Sequence, residues 1–201
     1  MNLVGVLALQ GGFGLHEDAC RRLGYPVRSV RDPKDLEGLG ALILPGGEST
    51  VMGMLMERRG LEEPLGRALE SGLPAFGTCA GAILLARDIE GSDQLRLGIL
   101  DITVARNAYG SQVDSFETPW GPFIRAPRIT RVGPGVEVIV EYGGAPVLVR
   151  QGNWVAATFH PELSGSDDRH RWFLETVAGL PPGRSQDARA SAPRERAKHR
   201  T

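Results

Sequence analysis

Several things are scarce in this 201-residue chain, and each shortage excludes something. It has only two cysteines, Cys20 and Cys79, too few for a disulfide framework or a cysteine-based zinc set. The four histidines, His16, His160, His170 and His199, show no ligand spacing, so neither a metal nor a cofactor is expected. Formal net charge is only -1, which argues against a nucleic-acid partner, since such proteins present a basic face. No run of eighteen or more apolar residues occurs, so no membrane span is expected. The first stretch, Met1 to Leu9, is apolar but lacks a basic flank and reads as a strand rather than a signal peptide. A cytoplasmic location follows as an expectation, and with it a free thiol. There is no G-x-x-x-x-G-K-S/T phosphate loop, and Gly11-Gly12-Phe13-Gly14 is not a dinucleotide fingerprint.

What is present centres on Gly77-Thr78-Cys79-Ala80-Gly81. Leu73-Pro74-Ala75-Phe76 before it reads as a buried strand, and Ala80 to Ala86 after it as a helix. A cysteine at a sharp strand-to-helix turn framed by glycines is the nucleophile elbow, written with Cys in place of Ser. The glycines admit close backbone approach. The helix behind the turn directs its N–H groups and positive dipole end at the sulfur, favouring thiolate. A lone Cys among small residues is ordinarily packing. A distant stretch, Thr158-Phe159-His160-Pro161-Glu162-Leu163, decides against that here. It closes a strand-like run, and in an extended chain His160 and Glu162 face the same way. Glu162 can then hold one imidazole nitrogen while the other faces a thiol, which supplies nucleophile, base and orienter.

Around this pair, 41% hydrophobic and 23% charged residues fit one globular α/β domain. Leu3–Leu9, Pro26–Val30 and Ala41–Leu44 read as strands, the first and third apolar throughout. Such strands lie in parallel sheets covered on both faces. Helical patterns lie between them at Leu15–Leu23, with Leu15, Ala19 and Leu23 as the stripe, at Thr50–Arg59 and at Leu61–Glu70. Asp35–Gly38 fits a single turn. His16 and Glu17 read as a solvated first turn, and Cys20 as helix packing. The expected fold is a three-layer, doubly wound, mostly parallel sheet of flavodoxin-like type with antiparallel additions. The additions come from β-prone runs at 100–106, 112–116, 123–124, 136–141 and 145–150, separated by turn signals. Asp168–Ala178 reads as a last helix packing through Trp172, Phe173, Thr176 and Val177. Residues 1–180 form the expected domain; 181–201 lacks apolar periodicity and reads as a disordered basic tail. In doubly wound sheets ligands bind at the C-terminal strand ends. The Gln10-Gly11 loop, the Pro45–Ser49 loop and Cys79 share that edge. Taken alone, Gly46-Gly47 is a plain glycine turn; beside a thiol it has the qualities of an oxyanion donor.

These motifs resemble the class I (triad) glutamine amidotransferases. Leu44-Pro45-Gly46-Gly47-Glu48-Ser49-Thr50, Leu9-Gln10-Gly11, Arg106-Asn107-Ala108-Tyr109-Gly110, Asp114-Ser115-Phe116-Glu117 and Phe123-Ile124-Arg125-Ala126-Pro127 narrow the resemblance. They are similar to the glutaminase subunit of pyridoxal 5'-phosphate synthases. The resemblance implies Cys79 as nucleophile, His160 as base and Glu162 as orienter. It implies Gly46, Gly47, Glu48, Ser49, Arg106, Ile124 and Arg125 as glutamine-binding residues, and Gln10 and Gly11 at an interface that gates the site. The implied activity is hydrolysis of L-glutamine to glutamate and ammonia, with the ammonia passed to a synthase subunit. The alternatives are a glutaminase serving another amidotransferase and a non-catalytic regulatory subunit on the same fold. Two departures stand out: Ser111 stands where a basic residue is common, and the Thr118–Pro122 link is short.

Overall fold

The computed structural model of the protein describes residues 2–106 and 118–183. The apolar runs form strands, as their patterning dictates. β1 (Val4–Leu7) and β3 (Ala41–Leu44) are buried along their whole length. β2 (Val27–Val30) pairs with β1, and β4 (Ala75–Thr78) with β3. β5 (Ala86–Ile89), β6 (Leu100–Ala105) and β7 (Arg128–Val132) form a separate three-stranded sheet. β8 (Glu137–Tyr142), β9 (Ala145–Gln151) and β10 (Trp154–Ala157) return to the main sheet. Its order is β2-β1-β3-β4-β10-β9-β8. The first five strands run parallel and the last two are antiparallel additions. This is the expected mixed, mostly parallel sheet.

Side chains alternate across it. Ala41 and Ile43 enter one core, Leu42 and Leu44 the other. The first core is closed by α1 (Phe13–Arg22), through Cys20, and by the C-terminal helix, through Phe173 and Leu174. Met52 and Met56 of α2 (Ser49–Arg58), Leu65 and Leu69 of α3 (Glu62–Glu70) and the apolar α4 (Ala80–Leu85) close the second. The small sheet packs into that layer through Leu100, Ile102, Val104 and Ile129. Three layers result. No helix among the described residues is long and apolar enough to cross a membrane.

The sequence reading is corrected at several points. Ala86 begins β5 rather than ending the helix, because its backbone pairs with Leu100 of β6 while its side chain stays in the core. β5 pairs with β6 in parallel, not antiparallel. β7, an alternating Arg-Ile-Thr-Arg-Val run, is an additional strand, and residues 123–124 reduce to a single bridge at Phe123. The central strand begins at Ala75, and the turn near Asp35 is a 3-10 helix over Pro33–Leu36. The last helix is α5 (Asp168–Arg171) followed by a π-helical stretch, Trp172–Val177. Its wider turn buries Phe173, Leu174 and Val177, leaving Thr176 exposed. The run at 112–116, Ser111 and the tail from 184 lie outside the described residues.

Candidate active site

The site is assembled where β1, β3, β4 and β10 end. Cys79 follows β4 directly and takes φ 47°, ψ −104°, a conformation costly for any non-glycine residue. The surroundings over-determine it. Its N–H donates to the Ala157 carbonyl at 2.8 Å, and its carbonyl accepts from Ala82 and Ile83 at 3.1 and 3.3 Å. The frame holds because a Cβ on Gly81 would overlap the Leu44 carbonyl, and one on Gly77 the Gly81 carbonyl. Only glycine lets α4 lie this close to β3 and β4. Cys79 is 7% exposed, at the floor of a cleft of about 240 Å³, room for an amino acid rather than a larger ligand.

His160 comes from the end of the β10 segment. Its Nδ1 lies 2.7 Å from Glu162 Oε1, and the ring lines the same cleft as Cys79. With Nδ1 engaged by the carboxylate, Nε2 is the nitrogen left for the thiol. The two-residue spacing works through a 3-10 turn, Pro161–Leu163, rather than the extended chain expected. Burial lowers the His160 pKa, but the neighbouring thiol of Cys79 and carboxylate of Glu162 outweigh it and raise the pKa to about 10. Burial raises that of Glu162; the neighbouring imidazoles of His16 and then His160 outweigh it, holding the carboxyl well below its ordinary range.

Cys79, His160 and Glu162 line the same cleft as Gly11, Gly46, Gly47, Glu48, Ser49, Arg106, Ile124 and Arg125. Gln10 does not line it. Its Oε1 accepts from the Glu48 N–H at 2.8 Å, tying the first loop to the third. The two loops touch closely: Gly11 sits at φ +90°, and any Cβ there would overlap the Gly46 carbonyl. That carbonyl accepts from the Gly12 N–H at 3.0 Å, so the Gly47 N–H of the same trans peptide is directed away from Gly12. Arg106 reaches Glu48 Oε1 at 3.3 Å and Gln94 Oε1 at 2.7 Å. Arg125 adopts φ 46° at the cleft wall. Among the described residues no group of three or more His, Cys, Asp and Glu side chains converges as a metal set.

Three residues around the site, His16, His170 and Gln94, escaped the sequence reading. His16 is not a solvated first-turn residue: it is fully buried, with Nε2 3.3 Å from Glu162 Oε2 and Nδ1 2.8 Å from His170 Nε2. Glu17 beside it is also buried, bonded to Arg21 and Ser29. The expected stripe on α1 is rotated by a residue; Leu15 is 45% exposed at the cleft rim, while His16, Ala19 and Cys20 face inward. His170 is buried and held neutral, its pKa pushed down to about 3 by burial and then by His16. Gln94 gathers Arg106, Ser49 and Thr50 on its amide oxygen. Nothing in the local sequence marks these three; their partners are remote in the chain.

Comparison with known proteins adds to this geometry. Residues 6–179 match a profile described as the SNO glutamine amidotransferase family. The chain is 55% identical over 189 residues to the pyridoxal 5'-phosphate synthase subunit PdxT of a Thermus thermophilus strain, covering 89% of this chain and 98% of that one. It is 51% identical over 183 residues to the PdxT of Pelotomaculum thermopropionicum, covering 86% of this chain and 93% of the relative. A crystal structure described as a glutamine amidotransferase superposes with a TM-score of 0.82 at 51% identity, over 88% of this chain and 99% of that one.

Proposed function

The chain belongs to the SNO glutamine amidotransferase family, and from that premise we infer that it is the glutaminase of a pyridoxal 5'-phosphate synthase, with Cys79 as nucleophile. The observation that carries the residue roles is that His160, held by Glu162 at 2.7 Å, lines one cleft with Cys79. Cys79 Sγ attacks the side-chain amide carbon of L-glutamine. The oxyanion that forms is met by backbone N–H groups of the Gly46-Gly47 loop. His160, holding the thiol proton, delivers it to the departing ammonia. Water, deprotonated by the same imidazole, then cleaves the γ-glutamyl thioester to glutamate. Glu162 keeps the imidazole in register throughout. Arg106 suits the substrate carboxylate and Glu48 its ammonium, while Ser49, Ile124 and Arg125 complete the wall. The ammonia passes to a synthase subunit that docks at the strand-end edge, where Gln10 and Gly11 couple it to the Glu48 loop. Residues 1–180 are the glutaminase domain and 181–201 a dispensable tail.

The test is ammonia release from glutamine. Cys79→Ala abolishes it while stability changes by less than about 1.5 kcal/mol, since little volume is removed. Cys20, a buried thiol whose pKa burial pushes up to about 12, tolerates Ala without loss of activity. Loss in Cys20→Ala with survival in Cys79→Ala would reverse the assignment.

A further inference from the structure

The thiol, base and orienter account for only one oxygen of Glu162. The carboxylate side chain is 2% exposed, and a buried carboxylate needs donors on both oxygens. Oε1 faces His160 at 2.7 Å. Oε2 is buried without a formed hydrogen bond; His16 Nε2 stands 3.3 Å from it and is bonded to the Thr78 hydroxyl at 3.2 Å. Behind His16, at 2.8 Å from its Nδ1, stands His170 Nε2, delivered from α5 at a separation of 154 residues. The end of β4, α5 and the Glu162 turn thus converge on one imidazole of α1.

We propose that His16, itself fixed by His170, is a positioning residue for glutamine hydrolysis: it donates Nε2–H to Glu162 Oε2 and so locks the carboxylate that orients His160. The inference rests on the Cys79–His160 reading above and deepens it.

The hydrogen-bond inventory of the two rings selects the tautomers. His170 is neutral and carries one N–H. Its Nδ1 is buried and has no partner among the described residues. With the proton on Nε2, His170 donates to His16 Nδ1, and only a lone pair is left unmet at its Nδ1. His16 must then carry its own proton on Nε2, between the Thr78 hydroxyl at 3.2 Å and Glu162 Oε2 at 3.3 Å. The reverse arrangement buries an orphan N–H on His170 and turns a His16 lone pair toward the carboxylate. An unmet buried donor is the rarer and costlier fault. The relay therefore has one favoured direction, from His170 through His16 to Glu162. Without it the carboxylate rotates about its terminal torsion or takes up a proton, and in either case His160 loses its fixed partner.

The experiment compares two isosteres in the full-length chain assayed with its synthase subunit. A Gln amide nitrogen falls near the position of histidine Nε2, an Asn nitrogen near that of Nδ1. His16→Gln keeps the donor to Glu162 and retains kcat within about threefold. His16→Asn keeps only the His170 side and lowers kcat about ten- to a hundredfold, the range for removing an outer partner of a functional histidine. KM changes by less than about twofold in both, because neither touches the glutamine-binding loops. Alkylation of Cys79 by iodoacetamide at neutral pH slows in His16→Asn and not in His16→Gln. Equal kcat in the two variants, or a loss carried by KM, overturns the proposal. If His16→Asn does not fold, His170→Leu against His170→Gln reads the same relay, and equal kcat there overturns it too. Cys79→Ala separates the two levels. Activity surviving in that variant defeats the thiol reading itself. A dead Cys79→Ala beside a fully active His16→Asn defeats only the positioning role.

Discussion

Glu162→Gln keeps the volume of the side chain and removes its charge. The carboxylate faces two imidazole nitrogens, bonded to His160 Nδ1 at 2.7 Å and within 3.3 Å of His16 Nε2, the donor proposed above. An amide presents one oxygen and one NH2, so one of the two imidazoles meets a donor. If it is His160, its proton moves to Nε2, and the ring then shows the thiol an N–H instead of a lone pair. The base is lost without any change of position. Replacing the carboxylate of a catalytic triad by an amide costs about 10⁴ in kcat for this reason. If the NH2 faces His16 instead, His160 keeps its tautomer but loses the ionic partner that sustains the imidazolium. Sharing between the two orientations gives an expected loss of about 10³ to 10⁴, or roughly 4–5.5 kcal/mol of transition-state stabilisation. Stability moves far less, by at most about 2 kcal/mol near neutrality, because relief from burying a charge offsets the lost bonds. The pH dependence has a definite sign. The folded-state pKa of Glu162 lies below its ordinary 4.5, so its contribution is full above about 4.5 and is lost as pH falls through the folded value. The stability gap between wild type and Glu162→Gln therefore narrows on acidification below about pH 4.5. Steady-state ammonia release and urea denaturation at several pH values measure both effects. A variant with kcat within threefold of wild type, or a gap that widens in acid, would refute the reasoning.

Other perturbations probe the frame and the loops. Gly81→Val drives a branched side chain into the Leu44 carbonyl and is expected to cost about 1–3 kcal/mol and most activity, read by thermal melting and ammonia release. Hydrolysis is expected to be slow in the isolated chain and strongly stimulated by the synthase subunit, which favours the Gly46-Gly47 peptide orientation with its N–H toward the oxyanion. Gly47→Val, whose side chain would strike Gln10 Oε1 and Gly11 Cα, loses that stimulation; equal rates with and without the partner would dismiss the switch. Deleting residues 183–201 leaves the glutaminase rate unchanged, and a large loss on deletion would assign the tail to the site or the partner.

Much of this molecule was legible in its sequence, for local reasons. Uniformly apolar Val4–Leu7 and Ala41–Leu44 can be satisfied only between two layers, so the parallel core follows from the chain itself. The glycines around Cys79 state in advance that two backbones meet there, and Leu44 is the meeting point. Other features depend on residues that come together only in space. A period of 3.6 assigns α1 an apolar stripe through Leu15, yet Leu15 borders the cleft and His16 turns inward. A histidine is tolerated at full burial when Glu162, Thr78 and His170 meet its ring, and those three come from other elements. Gln94 likewise shows its use only beside Arg106 and Ser49. β5 and β7 become strands because β6 lies between them with unpaired backbone on both edges. The sequence by itself determined the parallel core and the elbow, since both are dictated by neighbours along the chain. The tertiary structure alone decided which buried polar groups surround His16, since a hydrogen-bond partner 154 residues away leaves no local trace.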